Sequence, residues 1–161
     1  MTMHRVRAGT PDAAGQFEAI STLGKFRVVV PLPFNDYTVA DADPASDMIK
    51  TFSIGTKSSE GIKFVASRVV YRGGGTMVQR HFAQAAQMTQ MAGAPVNVRR
   101  LRVGDFAVLE FEAKSANAVL FQRMINISSG IIVLQVEAPS AFADEAQRFK
   151  APFFESLRVL P

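Results

Sequence analysis

The sequence predicts an α+β fold built on an antiparallel sheet. Three observations carry this. Strand-like runs follow one another through links too short for parallel crossovers. Helical periodicity appears only twice, each time after a run of strands, so the order reads β-β-β-β-α-β-β-β-β-α. Of the 161 residues 48% are hydrophobic, thirteen of them Phe, which suits a packed core and excludes global disorder.

Residues 1–15, with Gly9, Thr10, Pro11, Asp12 and Gly15, show little periodicity and read as a flexible lead-in. Residues 16–161 read as a single domain. Gln16–Thr22 alternates briefly, and Leu23-Gly24 reads as a turn. Lys25–Pro31 alternates cleanly, with Phe26, Val28 and Val30 on one side, and Pro31-Leu32-Pro33 ends the strand because proline has no N–H for a ladder. Residues 35–47 form an acidic stretch through Asp36, Asp41, Asp43 and Asp47. Met48–Thr56 is a further strand, and Lys57–Gly61 closes a hairpin. In Ile62–Tyr71, Ile62, Phe64, Ala66 and Arg68 share one face. The other face is also apolar in part, as in a central strand.

Gly73-Gly74-Gly75 breaks that strand, and Thr76 is placed as the N-cap of a helix of about four turns. Val78, Phe82, Ala85, Thr89 and Ala92 form its apolar stripe, and Gly93 and Pro95 end it. Four strands follow: Val96–Val103, Phe106–Ala113, Ala118–Ser128 and Ile131–Ala138. Their links are turn-like, so neighbours are antiparallel. A second helix begins at Pro139-Ser140, with Asp144 and Glu145 early and Phe142, Ala146, Phe149 and Phe153 at helical spacing. Leu157, Val159 and Leu160 are expected to form a packed tail.

The segment Gly24-Lys25-Phe26-Arg27-Val28-Val29-Val30-Pro31 resembles the opening strand of PsbP-like proteins, G-x-F-x-V-x-x-P. The closing Phe153-Phe154-Glu155-Ser156-Leu157 is similar to the F-x-x-S-F ending of bacterial relatives. The helix from Thr76, the Gly104-Asp105-Phe106 turn and the meander keep the same order over residues 16–160. The resemblance implies an α/β/α sandwich with a central antiparallel sheet. It also implies membership of a family that includes photosystem II extrinsic subunits, Ran-binding import factors and bacterial lipoproteins or secretion adaptors. Most of these are binding or accessory proteins, and no shared catalytic residue comes with the fold.

Composition narrows the chemistry. Without Cys there is no disulfide, thiolate zinc site or Cys nucleophile. The two histidines, His4 and His81, make a poor metal set. No run approaches the ~18 apolar residues of a membrane span. The basic start at residues 1–7 has no hydrophobic segment behind it, so the chain reads as cytoplasmic, or as periplasmic or lumenal had a leader been removed. Gly73–Gly75 lacks the Lys-Ser/Thr of a phosphate loop and reads as a flexible link. Asp41, Asp43 and Asp47 do not make a calcium loop, because Ala45, Ser46 and Phe52 stand where further ligands and a glycine belong. Asn126-Ile127-Ser128 fits a glycosylation sequon inside a strand and reads as chance.

Charge distribution is the most informative feature. The chain has 18 Lys+Arg against 14 Asp+Glu. Between Gly61 and Gly104 stand Lys63, Arg68, Arg72, Arg80, Arg99, Arg100 and Arg102, with no acidic residue. Arginine suits bidentate contact with carboxylate or phosphate. Few aromatics interleave with these residues, which disfavours nucleic acid. The expected function is therefore a non-enzymatic accessory or protein-binding domain. Its binding residues would be Arg68, Arg72, Arg99, Arg100 and Arg102, its partner an acidic protein surface or other anionic partner, with no cofactor or metal. One alternative is a small-molecule or lipid binder with a pocket between sheet and helix lined by Met77, Phe82 and Met88. A second is an enzyme centred on His81. Arg100 and Arg102 share strand parity with Val96 and Val98, so the strand must leave the core or bulge near Asn97–Arg99 to expose them.

Overall fold

The computed structural model describes residues 2–4, 7–33, 35–36, 38–40, 48–91 and 95–161. Six strands come first: β1 (Thr2–His4), β2 (Arg7–Pro11), β3 (Phe17–Ser21), β4 (Phe26–Val30), β5 (Asn35–Asp36) and β6 (Thr38–Ala40). The long strands β7 (Met48–Lys57) and β8 (Lys63–Tyr71) lead into α1 (Gly74–Met91). A meander follows, made of β9 (Pro95–Val103), β10 (Phe106–Lys114), β11 (Ala118–Asn126) and β12 (Ile131–Pro139). A 3-10 turn over Ser140–Phe142, α2 (Ala143–Glu155) and the short β13 (Arg158–Val159) complete the chain. The principal sheet has seven strands in the order β5-β7-β8-β12-β11-β10-β9. A second sheet runs β13-β4-β3-β2, and β1 pairs with β6. All strand pairs among the described residues are antiparallel.

Side-chain contacts place the helices on opposite faces of the principal sheet. Asn126 Nδ2 donates to Gln79 Oε1 of α1 at 2.8 Å. On the other face Phe64 meets Phe149 and Phe153 of α2 edge-on, at centroid distances of 5.8 and 5.6 Å. This second face holds the main core, with Phe64, Ala66, Ile132, Leu134 and Val136 buried. The small sheet closes the same face with Phe26, Val28 and Val30, which alternate inward as the sequence pattern requires.

Both phrases of the family resemblance have a structural cause. A Cβ on Gly24 would lie 2.6 Å from Ser21 Oγ, 2.7 Å from the Phe26 ring and 2.9 Å from Phe52 Cβ, so only glycine fits that turn. Ser156 donates to Phe153 O at 2.6 Å and accepts the Val29 N–H at 2.9 Å, which closes α2 and ties it to β4.

Five details differ from the sequence reading, the first being that β5 and β6 stand in the acidic stretch 35–47. The lead-in 1–15 carries β1 and β2 where little periodicity was visible. α1 begins at Gly74, so Thr76 lies inside the helix and not at its cap. The tail forms a strand against β4, with Val159 exposed. Of the expected stripe, Val78 is buried whereas Phe82 and Ala85 are half-buried. Phe82 lines a cleft beside Arg100 and Leu109, where α1 passes over the sheet edge. Phe82→Ala is therefore expected to cost about 1–2 kcal/mol, below the ~3–5 kcal/mol of a fully buried phenylalanine. A urea melt showing a loss above about 3 kcal/mol would mean that the ring is buried after all.

Candidate functional site

The strand β9 forms one edge of the principal sheet, and its register decides which way each arginine points. From Arg99 onward the ladder with β10 is regular: Arg99 lies opposite Glu110, Arg100 opposite Leu109 and Arg102 opposite Ala107. Before it the register shifts, so that Asn97 and Val98 together face the single residue Phe111. This is the bulge that strand parity demanded. Asn97 takes a φ of 57°, a left-handed conformation that asparagine tolerates, and its Nδ2 donates to Glu112 Oε2 at 3.3 Å. Burial pushes the Glu112 carboxyl upward. The hydrogen bonds from Lys114 and Asn97, with the charges of Lys114 and Lys150, outweigh it and hold Glu112 below the usual range.

Beyond the bulge, strand alternation divides the arginines between two faces. Arg102 shares a row with Ala107 and Asn126, and Asn126 touches α1, so Arg100 and Arg102 point to the α1 face. Both are exposed. Arg102 Nη2 donates to Asp105 O at 2.9 Å, and neither arginine forms an ion pair with a described residue. Beside them, Gln79, Phe82 and Ala83 of α1 complete a cleft of about 260 Å³ with Arg100. Arg80 is exposed on the same helix.

The other expected binding residues lie elsewhere. Arg99 points to the α2 face and meets Glu110 at 3.9 Å. Arg68 also points to that face, where Nη1 donates to Gly24 O and Nη2 to Ser129 Oγ, each at 2.8 Å. It ties the β3–β4 turn to the β11–β12 hairpin, and burial lowers its pKa. Arg72 is exposed just beyond β8, four strand spacings or about 19 Å across the sheet from β9. Strand alternation thus separates residues that the sequence groups by proximity. Lys63 pairs with Glu137 at 3.1 Å.

The remaining candidates resolve as follows. His81 stacks on Tyr71 with ring centroids 4.4 Å apart, and burial raises the Tyr71 pKa. Gly73 and Gly74 adopt φ values of 91° and 63°, as a tight strand-to-helix link needs. Asp41, Asp43 and Asp47 lie outside the described residues, as does the Met88 side chain. No group of three His, Asp or Glu among the described residues is placed to hold a metal. No described helix is long and apolar enough to cross a membrane.

The sequence reading missed a largely buried ion pair on the α2 face. Arg123 of β11 and Glu110 of β10 meet at 3.1 Å, with side chains 12% and 13% exposed. The Arg123 guanidinium also lies 5.3 Å from the Phe154 ring centre. A signal was present: Arg123 shares its strand face with the buried Phe121 and Ile125, and Glu110 shares its face with the buried Val108.

No family model matches the chain, and no curated protein matches it. Among solved structures it is similar to that of cyanobacterial PsbP (CyanoP) from Synechocystis sp. PCC 6803. The match has 12% identity and a TM-score of 0.54, and it covers 95% of this chain and 97% of that one. Similarity at this identity speaks to the fold alone. With two antiparallel sheets, helices on both faces of the larger one and this structural neighbour over nearly its whole length, the chain has the PsbP-like α+β fold.

Proposed function

We propose that this chain is a non-enzymatic accessory domain that binds an acidic protein surface through the outer face of β9. One observation carries the reading. The bulge at Asn97 and Val98 turns Arg100 and Arg102 outward together, without a counter-ion from any described residue. Such a pair suits bidentate contact with carboxylates. The outer edge of β9 is open among the described residues, so its main-chain groups are available to an added strand. Arg80 is exposed on α1, while Arg68 serves internal contacts and Arg99 lies on the other face of β9.

The reading is tested with the double variant Arg100→Glu and Arg102→Glu. Both positions are exposed, so the melting temperature is expected to stay within about 2 °C of the parent. Used as bait in extract at about 50 mM and about 300 mM salt, the parent should capture an acidic protein that high salt releases. The double variant should capture it at least about tenfold less well at low salt. Equal capture by a folded double variant would remove the basis of the assignment.

A further inference from the structure

Among the described residues, the α2 face of the principal sheet is not fully covered. The small sheet and α2 lie over β7, β8, β12 and β11, and beyond them β10 and β9 extend past their cover. There an open groove of about 890 Å³ runs between these strands and the closing segment of the chain. Its walls are apolar, formed by Leu101, Val103, Phe106, Ile125, Leu157 and Val159.

Arg99 and Arg123 border this groove, and both are served by the single carboxylate of Glu110, at 3.9 and 3.1 Å. Two guanidinium groups against one carboxylate leave one positive charge. Arg123 Nε is buried and has no hydrogen-bond partner among the described residues. A buried donor without an acceptor is costly. An apolar groove with a few convergent polar groups is the usual form of a small-molecule site, and its volume is of the usual size.

We propose that this groove binds a single-chain amphipathic monocarboxylate. The hydrocarbon chain lies along Leu101, Val103 and Phe106, and the carboxylate meets Arg99 and Arg123. The surplus of one positive charge selects a monoanion. Glu155 and Arg158 also line the groove and cancel in charge, so a dianionic phosphate would leave one excess negative charge beside Glu110. The site lies on the sheet face opposite Arg100 and Arg102, so it goes beyond the protein-binding reading and is independent of it.

The test titrates the chain with dansyl-labelled undecanoate, then displaces the probe with laurate below its micellar concentration or with methyl laurate. Saturable binding is expected, with the ester at least about tenfold weaker than the acid because the charge-assisted contact is lost. Val103 is 45% exposed, so Val103→Glu adds a carboxylate to the wall without disturbing the core. It should weaken binding at least about tenfold, and Arg99→Ala about fivefold. The double variant Arg100→Glu and Arg102→Glu should bind as the parent does. Absence of saturable binding overturns the proposal, as do equal displacement by acid and ester or undiminished binding by Val103→Glu. Binding lost in the double variant instead would place the ligand on the other face and overturn it too. So would association with phosphatidylglycerol vesicles by a chain that ignores laurate.

Discussion

Phe64→Ala is expected to destabilise the fold by about 3–5 kcal/mol, the range for deleting a buried phenylalanine that leaves a cavity. Phe64 is 1% exposed. Its ring takes the edges of Phe149 and Phe153 at once, so it joins β8 to α2 through two aromatic contacts. Neither ring on α2 can fill the vacated space while the other holds the helix in place. Urea unfolding should show a lower midpoint at unchanged slope. A loss under about 1.5 kcal/mol would mean that α2 re-seats on the sheet, and that its position is not set by this ring.

Glu110→Ala is expected to cost about 2–4 kcal/mol, because it leaves Arg123 charged, 12% exposed and without its carboxylate. The cost comes from the orphaned charge more than from the lost contact. Arg99, 68% exposed, contributes little through its 3.9 Å contact with Glu110, since water screens it. The decisive comparison is the double change Glu110→Ala with Arg123→Leu. It should recover most of the loss, since an apolar pair in this place needs no compensation. A double variant less stable than Glu110→Ala alone would contradict the ion-pair account and point to packing by the Arg123 stem against Phe154.

The central strands were legible because their alternation is local. Each of β4, β8 and β12 shows its buried face within five to nine residues, and short turns leave neighbours no choice but antiparallel pairing. The irregularity in β9 was legible for the opposite reason: Arg100 and Arg102 share parity with apolar positions, a conflict resolved if the strand leaves the core or bulges, and the register shift is the form it takes. The Glu110–Arg123 pair was available in principle. Counting back from the turn at Ser115, where the Ala118 N–H meets Ser115 Oγ at 3.1 Å, places the two residues opposite each other. The small sheet was harder to read. Gly9 and Pro11 mask β2, and β13 is two residues long, so its existence depends on where α2 ends. The groove had no local signature. Which part of a sheet face stays uncovered is decided by how far α2 and the small sheet reach across it, and no window of sequence contains that distance.

The open edge of β9 has a consequence for how copies of this chain meet one another. A nine-residue edge whose main-chain groups are unpaired among the described residues is a template for sheet-to-sheet polymerisation. Two copies meeting edge to edge would bring together Arg99, Arg100 and Arg102 from each. Like charges facing across a strand pair oppose that union. The kink at Asn97 and Val98 also spoils the straight register that such a ladder needs. The arginines proposed to receive an acidic strand are thus expected to turn away an identical one.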